Sequence, residues 1–270
     1  MLTDSQVSFF HSFGYVFAPK LFNSSEIEKI TNVSDSFMKE LREGEELDPE
    51  KGQSEDRFVE RNAYLTQIVA EDRIYESARK VLGDRFLWAG SEGHITVNST
   101  HQWHPDRPGD TEEVSYTRLK VNIYLDPIRS ESGCLRVIPG SHRWPLHGEI
   151  EPERFHQVED TVRPFDVPGE KMPSVLLESN PGDVIFFNQS LWHSIFNGWA
   201  GRRYIALKFA ANPQTDTHLA SLKYYGNSKM FAPDPAWVGS ASDRIQSMVG
   251  RLPKLGEKPV SDFLPIRPDR

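Results

Sequence analysis

The 270-residue chain is predicted to be mainly β, a sandwich or barrel with flanking helices. Two observations carry that prediction. From residue 85 onward, short runs rich in β-branched and aromatic residues alternate with turn residues, and no helical pattern separates them, which argues against a parallel α/β sheet. Before residue 85 the apolar spacing is helical instead. One domain over residues 1–270 is expected, with a helical part at about 1–84, a β core at about 85–212 and an extension at about 213–270.

The elements follow in order. "TDSQVSFFHSFG" opens with Thr3, has Gln6 three positions on, and closes at Gly14, the pattern of a capped helix. A second helix is predicted from Asn23, with Glu26 as its reciprocal cap and Ile27, Ile30 and Val33 on one face. Residues 42–58 are charge-dense with no apolar period and read as a loop. One helix is expected from about 62 to 82, ending at Gly83. The β-rich runs are "RFLWAG", "GHITVNS", "RLKVNIYLDP", "GCLRVIPGSH", "SVLLESNPGDVIFFN", "LWHSIFN" and "RRYIALKFAAN". In the third, Leu119, Val121, Ile123 and Leu125 share one face while Arg118, Lys120, Asn122 and Tyr124 share the other. A polar face of that kind lines either a ligand cavity or the solvent. Pro181, Gly182 and Asp183 form a tight turn between two strands. A late helix is expected to be capped at Ser240 with Asp243 in its first turn, followed by a Pro-rich tail.

Bulk properties narrow the function. Apolar content of 37%, charged content of 26% and a net charge of −8 describe an ordinary, slightly acidic globular chain, and an acidic balance argues against nucleic acid as a partner. No apolar run is long enough to span a membrane, and the N-terminus lacks the pattern of a secretory signal, so a cytoplasmic protein without membrane contact is expected. The single Cys134 leaves only His and carboxylates as metal ligands. A monomer or homodimer acting on a small molecule fits these bounds.

The stretch "HQWHPDRPGD" places His101, His104, Asp106 and Asp110 within ten positions. On a strand, His104 and Asp106 point to the same side, so an imidazole and a carboxylate can aim at one ion. Two His and one carboxylate on one face of an ion form the facial triad of non-haem Fe(II) oxygenases. His193, at the start of a later β-run, is the candidate third ligand, and Arg203 follows ten positions later. If those two sit on adjacent antiparallel strands, the guanidinium can hold a carboxylate across the cavity, which suits the dicarboxylate 2-oxoglutarate. In the doublet Arg202 and Arg203, successive side chains face opposite ways, so one of the two should face outward.

"KVNIYLDPIRSESGCLRVIPGSHRWP" resembles the central signature of the phytanoyl-CoA dioxygenase family. The resemblance extends to "FFHSFGYVFAPKLFNSSEIEKI", to "WHPD" and to "PGDVIFFNQSLWHSIFN", and covers most of residues 5–212 in the right order. It implies a double-stranded β-helix, the jelly-roll or cupin-like barrel, that binds Fe(II) and 2-oxoglutarate and uses O2. Carried over by position, His104, Asp106 and His193 are the iron ligands and Arg203 anchors the distal carboxylate of 2-oxoglutarate. Asn122 and His94 fall where the family contacts the cosubstrate, and Ser194 stands at the family's serine position. Here "HSIFN" is one residue shorter than the usual segment, so Arg202 remains an alternative to Arg203 and the Ser194 contact is in doubt. His101 and Asp110 take supporting or loop roles, and His142 is structural. Related halogenases lack the metal carboxylate, so Asp106 points to hydroxylation, with release of succinate and CO2. Desaturation, cyclisation or demethylation by the same oxidant, or a non-catalytic cupin-like metal-binding protein, are the alternatives.

Overall fold

The computed structural model describes residues 1–154, 165–225 and 230–258. Ten strands run in the described residues: β1 (Tyr15–Ala18), β2 (Gln53–Asp56), β3 (Leu87–Ile95), β4 (Ser99–His104), β5 (Arg118–Tyr124), β6 (Leu135–Val137), β7 (Val175–Leu177), β8 (Val184–Asn188), β9 (His193–Gly198) and β10 (Arg203–Ala210). They form two antiparallel sheets, one ordered β1-β8-β5-β10-β3-β2 and the other β4-β9-β6-β7. The sheets face each other: Tyr124, Ile185 and Phe187 of the first pack with Leu135, Val137 and Leu177 of the second in one buried cluster. This is the jelly-roll architecture.

The outer face of the six-stranded sheet carries the main core. Leu119, Val121 and Ile123 of β5 and Ile205, Leu207 and Phe209 of β10 pack there against the helices. Burial of each such side chain contributes roughly 1.5–3 kcal/mol, which is why their period-two spacing selects the side that meets the helices. On that side lie α1 (Asp4–Phe13), α2 (Ser24–Leu41), α3 (Ala63–Ala70) and α4 (Asp72–Leu82), with the later helix Asp243–Val249. Both expected capping boxes are present, Thr3 with Gln6 on α1 and Asn23 with Glu26 on α2, and Gly14 ends α1 in the left-handed region at φ 83°. A third cluster, Trp103, Trp192 and Phe196 with Ile138, Ile150 and Met172, covers the outside of the four-stranded sheet.

Four local expectations are corrected. Within the predicted loop 42–58, Gln53–Asp56 pairs with β3 as an edge strand; its solvent-facing alternation is entirely polar, so no apolar period announces it. The single helix expected at 62–82 is two, because Glu71 adopts an extended conformation at ψ 156° that breaks the helix after Ala70. "RFLWAG" and "GHITVNS" belong largely to one strand, β3, which runs through Gly90 at φ 116°. The strand partner of that region shifts register between Lys208 and Phe209, and a glycine tolerates the resulting kink. The late helix is capped by Ser242 rather than Ser240, its hydroxyl accepting from the Ile245 amide. The Pro181-Gly182-Asp183 turn is present, yet the strands it joins, β7 and β8, lie in different sheets. Most of the Pro-rich tail, residues 259–270, lies outside the described residues.

Candidate metal centre

His104 ends β4, and Asp106 follows in a bend just beyond it rather than on the strand itself. His193 opens β9 directly opposite His104 in the antiparallel register. This pairing is what brings residues 89 positions apart in sequence to one point. Ligand atoms of His104, Asp106 and His193 all lie within 4.8 Å of one another, and the two imidazole centroids are 4.5 Å apart. Between His101 and His104 the strand bulges, so that three steps of β4 oppose two of β9. That irregularity turns His104 inward beside Asp106.

Each imidazole is oriented from behind. The Nδ1 of His104 meets the Gln102 carbonyl at 2.5 Å and the Nδ1 of His193 meets the Leu191 carbonyl at 2.8 Å. With Nδ1–H donated to a carbonyl, Nε2 carries the lone pair and is the nitrogen left to bind a metal. His193 Nε2 lies 3.8 Å from Asp106 Oδ1. The other carboxylate oxygen, Oδ2, accepts a hydrogen bond from Lys120 Nζ at 3.0 Å. Burial, helped by the neighbouring His104, pushes His193 down to about 3, so its imidazole is neutral near pH 7. Burial works against the Asp106 carboxylate, but Lys120 and the two imidazoles outweigh it and hold Asp106 well below the usual carboxylate range. Neutral imidazoles and an ionised carboxylate are the protonation states a divalent metal requires.

The inner face of the six-stranded sheet forms the floor of the cavity. Strand pairing aligns Tyr124, Tyr204 and His94 in one row, Asn122, Ala206 and Glu92 in the next, and Lys120 opposite Lys208 in the third. Tyr204 stacks on His94 with centroids 4.5 Å apart and planes 17° off parallel. His94 Nε2 also lies 3.3 Å from Glu92 Oε2, and Lys208 Nζ bonds Glu92 Oε1. Burial raises Tyr204 to about 12, so it stays a neutral phenol.

The arginine doublet divides as the alternation rule requires. Arg203 shares the face of Ile205 and Leu207 and sits among the helices: it forms a two-point ion pair with Asp126, at 3.1 Å and 2.6 Å, and its third nitrogen meets Asp35 of α2 at 2.5 Å. The hydrogen bonds it donates to Asp126 raise its already high pKa. Arg203 is therefore already engaged on the side away from the triad. Arg202 is completely buried on the cavity face, with its guanidinium 5.8 Å from the Tyr204 ring. Its Nη1 donates to the Gly133 carbonyl, while Nε and Nη2 are buried with no hydrogen-bond partner. Its charge also reaches His101, Tyr124 and Tyr204. A buried guanidinium with two open N–H directions is costly unless an anion meets it.

The remaining candidates separate as well. Asn122 is buried on the cavity floor, and its Oδ1 has no partner. His94 reaches the cavity floor but is engaged by Tyr204 and Glu92. Ser194 follows His193 and so faces the opposite side of β9, opposite Arg136, whose guanidinium lies over Phe196 of the outer cluster. The strand geometry does not bring Ser194 to the triad. Asp110 caps a short helix, accepting from the amides of Glu112 and Glu113. Sequence reasoning passed over Lys208 and Glu92. Their signal is in "RRYIALKFA", where Ile205, Leu207 and Phe209 mark the core parity, so that Arg202, Tyr204, Ala206 and Lys208 share the other face.

The comparisons with known proteins agree with this geometry. A family model described as phytanoyl-CoA dioxygenase matches residues 10–195. The chain belongs to the phytanoyl-CoA dioxygenase family. HygX from Streptomyces hygroscopicus, solved with nickel and 2-oxoglutarate bound, superposes with a TM-score of 0.62 at 17% identity, over 79% of this chain and 89% of that one. EctD from S. alaskensis with bound Fe gives 0.58 at 19% identity, over 78% and 77%. SnoK, described as a non-heme alpha ketoglutarate dependent carbocyclase from nogalamycin biosynthesis, gives 0.57 at 19% identity, over 78% and 82%. No curated protein matches the chain. Family membership brings with it a dependence on Fe(II) and 2-oxoglutarate, for which the triad and the Arg202 cradle are suited. No helix among the described residues is long and apolar enough to cross a membrane.

Proposed function

We propose that the protein is an Fe(II)- and 2-oxoglutarate-dependent dioxygenase that hydroxylates an unactivated C–H bond of a small molecule, with release of succinate and CO2. The observation that carries this reading is the pairing of the His104, Asp106 and His193 triad, partly buried at its first two members and fully at the third, with the open Nε and Nη2 of Arg202 on the same cavity. A metal site alone needs no such arginine.

His104 and His193 hold the metal through Nε2, and Asp106 holds it through Oδ1. Arg202, rather than Arg203, receives the distal carboxylate of 2-oxoglutarate, because only Arg202 faces the cavity with donors to offer. Asn122 offers a further polar contact on the floor. When bound, the metal and keto acid together supply an oxidant strong enough to cleave a C–H bond, and O2 is its source. Every other task falls to the chain. The carbonyls of Gln102 and Leu191 keep both imidazoles in one tautomer, Lys120 keeps the second Asp106 oxygen occupied, and Tyr124, Tyr204 and Phe187 exclude water from the centre. The carboxylate of Asp106 would supply the third metal ligand where related halogenases have none, which supports oxygen insertion over halogenation.

The test is spectroscopic and chemical. Purified protein under nitrogen, given Fe(II) and then 2-oxoglutarate, is expected to develop the visible charge-transfer band of a chelated keto acid, and with O2 and substrate to form succinate. A protein that binds metal but shows neither is a non-catalytic metal-binding barrel. The likeness to a carbocyclase supports a second outcome for the same oxidant. Product mass decides between them: hydroxylation adds one oxygen, whereas cyclisation or desaturation removes two hydrogens, and demethylation releases formaldehyde.

A further inference from the structure

The charge balance of the cavity floor points beyond the cofactors. We infer that the substrate carries an anionic group, a carboxylate or a phosphate, that is held between the ammonium groups of Lys120 and Lys208; the inference rests on the iron and 2-oxoglutarate reading above.

Lys120 of β5 and Lys208 of β10 are directly opposed in the antiparallel register, and both point into the cavity. Their side chains are only 14% and 19% exposed. Like charges directly opposite one another on a sheet are unfavourable, and a buried ammonium needs a counter-charge. Without metal, each lysine has one: Asp106 for Lys120 and Glu92 for Lys208. Arg118, on the same parity of β5, adds nothing to this pair, because its guanidinium bonds Ser221 and lies over Tyr116.

Metal binding changes the balance. A divalent ion on the triad takes the charge of Asp106, and the two carboxylates of 2-oxoglutarate are answered by the ion and by Arg202. Two ammonium groups then share Glu92 as their counter-ion. One positive charge is left over on two largely enclosed lysines beside the triad. A substrate anion seated between the two lysines removes that surplus, through charge-assisted hydrogen bonds of the strong kind. Glu92 and Lys208 also line, together with Arg107 and Trp88, a small cavity of about 80 Å³.

The experiment uses the protein loaded anaerobically with Fe(II) and 2-oxoglutarate, with inorganic phosphate and acetate as probes and calorimetry as the readout. Saturable binding of one or both anions is expected, and the tighter of the two identifies the headgroup chemistry. Lys208→Met is expected to weaken it about tenfold or more, whereas Lys208→Arg keeps it within about threefold. Binding of 2-oxoglutarate should stay within about twofold in both variants, read from the charge-transfer band. Metal-free protein should bind the anion at least about tenfold more weakly, since the full charge of Asp106 then rests on Lys120. The proposal is overturned if neither anion binds, or if Lys208→Met leaves binding unchanged, which would mean coordination to the metal alone. It is also overturned if 2-oxoglutarate weakens in step with the anion, which would assign the lysine pair to the cosubstrate. Absence of the charge-transfer band in the unaltered protein removes the cofactor reading and this inference with it.

Discussion

The two faces of β5 and β10 are built from the same strands and do opposite things. Outward, Leu119, Val121, Ile123, Ile205, Leu207 and Phe209 are buried to within about a percent of full enclosure and hold the helices to the sheet. Inward, Lys120, Asn122, Tyr124, Arg202, Tyr204 and Lys208 enclose charge and unpaired donors and acceptors. The outer face stabilises the fold; the inner face holds groups whose burial costs stability until ligands meet them. A jelly roll can carry such a site because the period of a strand separates the two tasks residue by residue.

Substitutions should separate those faces. The largest effect is expected at the triad: Asp106→Ala or His193→Ala should abolish the charge-transfer band and bring succinate formation to background, and Asp106→Ala should also lower the thermal stability of the metal-free protein, because Lys120 loses its counter-charge, as a melting curve will show. Leu207→Ala on the outer face should do the reverse. It should cost about 2–5 kcal/mol in urea denaturation while the surviving folded protein binds 2-oxoglutarate normally.

The arginine doublet sharpens the same contrast within two residues. Arg202→Ala is expected to weaken 2-oxoglutarate by about a hundredfold, since a buried charge-assisted contact is worth roughly 2–5 kcal/mol. Arg203→Ala should leave that affinity within about twofold and lower stability by about 1 kcal/mol, because its ion pairs with Asp126 and Asp35 are partly exposed. An opposite ranking in calorimetry would reverse the assignment.

A smaller effect should appear with pH, away from both faces. His142 is 5% exposed, and burial pushes it down to about 4. The unfolded chain takes up a proton near pH 6.5 that the folded chain resists until about pH 4, so stability is intact above pH 6.5 and falls as pH drops through that window. Between pH 7 and pH 5 this group should account for about 2 kcal/mol of lost stability. His142→Gln should flatten the melting temperature over that range.

Much of the site was legible because its signals are local. The His104 and Asp106 spacing, the apolar parity of "RLKVNIYL" and the caps at Thr3 and Asn23 are each set within a few residues, and the structure keeps all of them. Arg203 shows where local signals stop. The expectation that His193 and Arg203 lie on adjacent strands does not hold, since β9 and β10 belong to different sheets. The parity of Ile205, Leu207 and Phe209 nonetheless contained the information that Arg203 shares the core face. Ser194 fails for a related reason, being one step out of phase with His193 on the same strand.

By itself, then, the order of residues determined the caps of the first two helices, the strand parities and the candidate metal donors, because capping and alternation act over one to four positions. Which sheet each strand joins, and that Lys120 stands opposite Lys208 beside Asp106, were decided only by the tertiary structure. Those relations depend on strand register between segments some eighty to ninety residues apart, and register is set by how the whole set of apolar faces can be buried at once.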